Sequence, residues 1–396
     1  MARGLNLTWM SADGRLEGDG MHWSRGNDYM ILADVDGDGQ QEVLIANNNN
    51  GAIGILKWSG GNLRPIWIDS DGRLPGVHVH WSRGADDFHA ADIDGDGQDE
   101  IIVSNAETNT TGILKWVGGA LTPIWINNDG RLPGNGVHWS RGTDVFKAIQ
   151  TGQGPRQDVL VFNFESGAIG VLRWTANALT PIHVNPNGIS GNPQEVSLPV
   201  PVDLDGDGLD ELWCGTNSAN SVVCKWNGTG FEVIWRDRTG RIPGEGIHWS
   251  RGPNDQFLRS RVAGGDELLV TNYRDWIGTF RWDGATMVAT AVQPVADFLK
   301  YNNSNPIVLS PLRLAGKNKD DILFAKSDLS TGIIGGNGQR LANLWVAGHE
   351  YFGDAGVWEI AHDDFYKPFR IQGQADAILL CSNVRSWTAV LTWLDA

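Results

Sequence analysis

Two recurring sets of side chains in this sequence have the types and spacing to do chemistry. The first is an acidic loop of the form D-x-D-G-D-G. It occurs as Asp34-Val-Asp36-Gly-Asp38-Gly39, Asp92-Ile-Asp94-Gly-Asp96-Gly97 and Asp203-Leu-Asp205-Gly-Asp207-Gly208. Carboxylates two residues apart along a tight loop can converge on one point, and the glycine at position 6 permits the sharp bend. A Glu closes each loop at position 9 (Glu42, Glu100, Glu211), and the position-7 carbonyls of Gln40, Gln98 and Leu209 are expected to add an oxygen. So many hard oxygen donors suit Ca²⁺, and three full copies imply about three structural ions. The alternative, an Asx/Gly turn with solvated carboxylates, does not call for the full set three times. The corresponding segments Thr151–Arg156, Ala263–Gly265, Leu314–Asn318 and Gln372–Gln374 lack the paired acids and are read as metal-free.

The second set is His-Trp-Ser-Arg-Gly, preceded by an Arg in a Gly- and Pro-rich connection. Its members are Arg15, His22, Trp23 and Arg25; Arg73, His80, Trp81 and Arg83; Arg131, His138, Trp139 and Arg141; and Arg241, His248, Trp249 and Arg251. Turn formation needs Gly and Pro, not His, Trp and two Arg. A Trp face beside such donors suits a sugar ring, whose C–H face stacks while its hydroxyls take directional hydrogen bonds. Asn47, Asn105, Asn163 and Asn272 recur at turns expected on the same face. A Trp at one place in each repeat could equally wedge between structural units, and the two roles can coexist.

Both sets need a scaffold that repeats as they do. Segments ending in a basic residue and Trp place Trp58, Trp116, Trp174, Trp226 and Trp282 at spacings of 58, 58, 52 and 56, and Trp393 follows after two further periods. Residues 86–127 read as four short strands, β-branched or aromatic and separated by Gly/Asn/Asp clusters. No segment keeps a helical apolar period. Four strands in each of seven repeats of about 55 residues predict an all-β, seven-bladed propeller of antiparallel blades, one domain over residues 1–396. Leu5–Trp9 matches a fourth strand and Leu391–Trp393 a third, so the N-terminal strand should complete the last blade.

The stretch Phe88-His-Ala-Ala-Asp-Ile-Asp-Gly-Asp-Gly-Gln-Asp-Glu-Ile-Ile-Val103 resembles the FG-GAP/VCBS propellers, which include integrin α-subunit heads and several propeller lectins. The resemblance is strong in three repeats and weak in the rest. It implies the propeller fold, Ca²⁺ in the acidic loops, and ligand binding on the opposite face. Glu instead of the family's usual Asp at position 9 lengthens the last ligand without removing it.

The net charge of −16 offers no broad basic surface and argues against nucleic-acid partners. No run of eighteen apolar residues suggests a transmembrane segment. Met1–Asn6 lacks a basic segment leading into an apolar one, so no secretory signal is read there, and cytoplasmic residence or export by another route both stay open. The three cysteines, Cys214, Cys224 and Cys381, make no disulfide framework and read as buried thiols. The expected activity is that of a multivalent lectin with glycan or glycoconjugate partners. One alternative is a carbohydrate-active lyase or dehydratase using His349, Glu350, His362, Asp363 and Asp364 of the degenerate repeats; the other is a protein-interaction propeller. No nucleophile elbow, P-loop or HExxH motif is present.

Overall fold

The computed structural model describes residues 4–11, 29–47, 51–70, 86–105, 108–131, 144–163, 166–189, 199–215, 221–241, 255–262, 264–272, 276–295, 307–314, 319–326, 331–336, 339–347, 350–351, 357–358, 365–371, 376–382 and 387–394. The β-branched and aromatic runs form strands that pair with their neighbours in sequence, except that the N-terminal strand pairs with the C-terminal one. Seven four-stranded antiparallel blades result, arranged in a ring.

Blade 1 comprises Tyr29–Ala33, Glu42–Ala46, Ile53–Ser59 and Asn62–Asp69, from the innermost strand to the outermost. Blade 2 comprises Asp86–Ala91, Glu100–Asn105, Thr110–Val117 and Ala120–Asn127. Blade 3 runs from Asp144–Ile149 to Ala178–Asn185, blade 4 from Val200–Val202 to Phe231–Asp237, blade 5 from Asp255–Ser260 to Met287–Pro294, and blade 6 from Ile307–Leu312 to Leu341–Ala347. Blade 7 takes Phe365–Phe369, Ala377–Ser382 and Trp387–Leu394 from the C-terminal region and its outer strand, Gly4–Ser11, from the N-terminus. The ring therefore closes as the sequence predicts. A bulge recurs between the third and fourth strands of blades 1 to 6, facing Pro65, Pro123 and Pro181 in the first three. The missing N–H of proline is tolerated there, because the outer strand is a sheet edge.

Apolar packing joins blades rather than filling each one separately. Ile31, Leu44 and Ile55 of blade 1 cluster with Phe88, Ile101 and Leu114 of blade 2, while Met30 and Val43 meet Phe369, Leu379 and Val390 of blade 7. The tryptophans ending the third strands, including Trp58, Trp116 and Trp174, pack against these clusters. Cys214 and Cys224 lie on adjacent strands of blade 4 but out of register with each other, and both are buried thiols. No helix among the described residues is long and apolar enough to cross a membrane.

Polar groups join the blades at the rim. In blade 2, the Asp99 N–H donates to the Asp34 carbonyl of blade 1 (2.8 Å), and the Asp34 N–H donates back to Asp99 Oδ2 (2.8 Å). The same reciprocal clasp links Gln157 to Asp92, Asp210 to Gln150, Asp320 to Arg261, Asp376 to Arg313 and Gln41 to Arg370. The last of these joins blade 1 to blade 7, a second closure of the ring. Among the described residues, six of the seven junctions carry the clasp. At the junction of blades 4 and 5, the loop from Arg261 to Asp266 is two residues shorter, and Asp266 is taken instead by Arg259 and Arg261.

Two lysines do comparable work at the innermost strands, whose free edges expose carbonyls. Lys147 Nζ donates to Pro199 O of blade 4 (2.9 Å), and Lys367 Nζ to Met30 O of blade 1 (3.3 Å). Burial pulls the Lys147 ammonium down to about 8.

Asp99→Ala should cost roughly 1–3 kcal/mol in denaturant unfolding, because it orphans the Asp34 N–H; Asp99→Asn, which keeps a carbonyl acceptor, should cost less. Lys147 gives a pH prediction of definite sign. Above about pH 8 the folded protein sheds this proton while the unfolded chain, near 10.5, still holds it. Stability should therefore rise between these values. The difference between wild type and Lys147→Met across that window measures it.

Candidate functional site

The three acidic loops join the first and second strands of blades 1, 2 and 4 and share one hydrogen-bond pattern. Position 1 receives the N–H of position 6: Gly39 to Asp34 (2.9 Å), Gly97 to Asp92 (3.0 Å) and Gly208 to Asp203 (3.0 Å). Position 5 receives the N–H of position 7, from Gln40, Gln98 and Leu209, each at 2.9 Å. The closing Glu receives the N–H of position 2, from Val35, Ile93 and Leu204. Gly37 and Gly39 sit at φ of 74° and 87°, as their counterparts do in the other loops, a region favouring residues without a Cβ.

This geometry turns the carboxylates inward. One oxygen from each of Asp34, Asp36 and Glu42 lies within 4.8 Å of the others, and so do those of Asp92, Asp94 and Asp96 and of Asp203, Asp205 and Glu211. Asp34 Oδ1 and Asp36 Oδ1 are buried without a hydrogen-bond partner. Burial raises the carboxyls of Glu42, Glu100 and Glu211 above their usual range, and nearby loop aspartates add to this. Converging hard oxygens of this kind can hold a metal ion.

A lysine from the third strand already reaches each cluster, which the sequence reading missed. Lys57 Nζ lies 2.6 Å from Asp36, 2.9 Å from Asp38 and 2.9 Å from Glu42. Lys115 lies 2.6 Å from Asp94, 2.8 Å from Asp96 and 2.6 Å from Glu100. Lys225 contacts Asp205, lies 2.7 Å from Asp207 and stands 3.5 Å from Glu211. Burial alone would lower these ammonium groups, but the carboxylates hold them above the usual lysine range. In blade 3, whose loop lacks the acids, Arg173 holds the equivalent Asp158 through Nε (2.9 Å) and Nη2 (2.7 Å). The signal lay in the repeated Lys/Arg-Trp ending of the third strands, used in the sequence only as a landmark.

The connections that carry the second recurring set are described only at their margins. His22, Trp23, Arg25, His80, Trp81, Arg83, His138, Trp139, Arg141, His248, Trp249 and Arg251, with Arg15 and Arg73, lie outside the described residues. So do His349, His362, Asp363 and Asp364 of the alternative site. Arg131 and Arg241 are exposed, each just beyond an Asx-type turn: Asp129 Oδ1 accepts the Arg131 N–H (2.8 Å), and Thr239 Oγ1 the Arg241 N–H (3.1 Å). Asn47, Asn105 and Asn163 are buried. Asn105 Oδ1 accepts from Thr108, and Asn163 binds Ser166 and Asp144, so these two side chains shape their own turns. Asn272 ends the second strand of blade 5.

A further polar network lies on the innermost strands. Tyr29 donates to Asp87 Oδ1 (2.6 Å), and His89 Nε2 meets Asp87 Oδ2 (2.8 Å), with the His89 ring 5.9 Å from Phe146. Burial would raise the Asp87 carboxyl, yet the His89 and Tyr29 hydrogen bonds outweigh it and hold the carboxyl low. Isolated polar residues on an inner strand carry no repeat signature, so sequence reading passed over this trio.

The arrangement defines a class, a seven-bladed propeller with acidic loops between first and second strands. Residues 34–103 match the FG-GAP-like repeat family, which together with the ring of seven blades supports an FG-GAP-type propeller. A comparison with curated protein sequences finds no match. Among solved structures, the chain is similar to an Agrocybe aegerita lectin that recognises non-reducing terminal N-acetylglucosamine, with a TM-score of 0.56 and 14% identity over 82% of this chain and 80% of that one. BBS1N, solved in complex with ARL6DN, gives a TM-score of 0.56 at 10% identity over 99% and 98%. Chaetomium thermophilum Raptor gives 0.53 at 12% identity, covering 99% of this chain and 29% of that one. These likenesses concern the fold.

Arg173→Ala leaves Asp158, only 3% exposed, without its charged partner and should cost up to about 3 kcal/mol, the partial exposure of Arg173 making the loss smaller than for a fully buried pair. Arg173→Lys should recover much of this in thermal unfolding, since lysine fills the same seat in blades 1, 2 and 4.

Proposed function

We propose that this propeller is a multivalent carbohydrate-binding protein, a lectin whose four His-Trp-Ser-Arg connections form similar sites on one face while Ca²⁺ clips the loops of the other. The observation that carries the reading is repetition. The same Trp, His and Arg set follows the outer strand of four blades in the ring. Several like sites on a rigid ring suit weak sugar binding strengthened by avidity, whereas an enzyme needs one asymmetric site. The exposed Arg131 and Arg241, presented by rigid turns, support it. The fold-level likeness to a lectin for terminal N-acetylglucosamine makes that sugar the first to test.

The Tyr29–Asp87–His89 network favours a second reading, acid–base chemistry on a carbohydrate, because an Asp-oriented His has the equipment of a general base.

On a glycan array the protein should bind one class of terminal sugar. The double variant Trp81→Ala, Trp139→Ala should lose at least about tenfold in avidity with an unchanged Tm. A double variant that unfolds assigns these tryptophans to blade locking. A blank array with turnover of an oligosaccharide, abolished by His89→Gln, replaces the lectin reading with the enzymatic one.

A further inference from the structure

The eight carboxylate oxygens of the first loop divide into three groups. Three accept backbone N–H groups: Asp34 Oδ2 from Gly39, Asp38 Oδ1 from Gln40 and Glu42 Oε2 from Val35. Three face the Lys57 ammonium: Asp36 Oδ2, Asp38 Oδ2 and Glu42 Oε1. Two, Asp34 Oδ1 and Asp36 Oδ1, are buried outside both groups, while their counterparts in blades 2 and 4 accept the N–H of Gly95 and Asp96 and of Gly206 and Asp207. A Ca²⁺-sized ion takes about six to eight oxygens, so these two oxygens of the first loop cannot hold it unaided. If it shared an oxygen with Nζ, it would stand within roughly 5 Å of a like charge, in a cluster where screening by water is reduced.

Blade 3 shows that the basic residue is part of the scaffold rather than a companion of the acidic loop. There the paired acids are gone, yet Arg173 still holds the closing acid Asp158. The seat for a cationic side chain therefore does not depend on the acidic loop, and blades 1, 2 and 4 fill it with the shorter-headed, flexible lysine.

We propose that Lys57, Lys115 and Lys225 are built-in counter-ions that compete with the divalent cation for the loop carboxylates. The cation enters by displacing the ammonium, and the lysine thereby weakens and sets its affinity. In the cation-poor state the lysine keeps the loop closed, and in the cation-rich state its flexible stem carries the ammonium out to water. This inference rests on the reading of the loops as divalent-cation sites and is independent of sugar binding.

The test is calorimetric titration of Ca²⁺ into chelator-stripped protein at fixed pH and ionic strength, comparing wild type with the triple variant Lys57→Met, Lys115→Met, Lys225→Met. Methionine keeps much of the apolar stem and removes the charge. The variant should bind at least about tenfold more tightly, with the same number of sites. Equal or weaker binding by the variant, with wild type still binding, overturns the competition and leaves the cation reading standing. Absence of binding in both proteins overturns both. A second measurement needs no variant: acylation of the three lysines in wild-type protein, read by mass spectrometry. Added Ca²⁺ should speed labelling of Lys57, Lys115 and Lys225 severalfold relative to other lysines. Unchanged or slowed labelling, with Ca²⁺ bound, means the ammonium stays in the cluster and contradicts displacement.

Discussion

A propeller has no hydrogen-bonded sheet joining one blade to the next, so something else must fix each blade against its neighbour at the rim. In this protein it is the reciprocal clasp, in which one side-chain oxygen and one amide of a loop pair with the amide and carbonyl of the preceding loop. The clasp copies a pair of ladder bonds between segments that are not strands. It sets the spacing of the loops, and the loop spacing in turn sets where the acidic clusters and their lysines sit. Apolar clusters between blades supply the larger share of the stabilisation but carry little directional information, so they do not by themselves define the registry of the ring.

Charge follows the same architecture. Position 9 is a buried acid in blades 1 to 6 (Glu42, Glu100, Asp158, Glu211, Glu267 and Asp321) whether or not the loop before it is acidic. In the acidic loops it also caps the backbone of position 2. A buried acid needs a partner, and the third strand delivers one as Lys or Arg in the first four blades. The acidic loops surround that pair with three further aspartates.

The fold was legible because repetition multiplies weak signals. A strand such as Glu100–Asn105 is unremarkable alone, but seven turns and a recurring basic-Trp ending specify the ring and its closure by Gly4–Ser11. The acidic loops were legible for the same reason. What escaped was every role exercised between repeats. Asp99 and Asp210 have no role in the sequence reading, although an Asp or Gln stands before the second strand in all seven blades. Lys57 was taken as a strand landmark. Asn105 and Asn163 also hold their own turns, a role that the sequence does not announce. Pairing across 58 or 65 residues leaves no local pattern for a sequence reading to find.

The claim on which the rest depends is that the clasps lock the rim. Native-state hydrogen exchange tests it directly, residue by residue. The amides of Asp34, Asp92, Gln150, Arg261, Arg313 and Arg370, with those of their partners, should exchange only on global unfolding. Exchange of these amides at the rate of exposed turn amides would show that the rim opens freely, and the account of how blades are registered would be wrong.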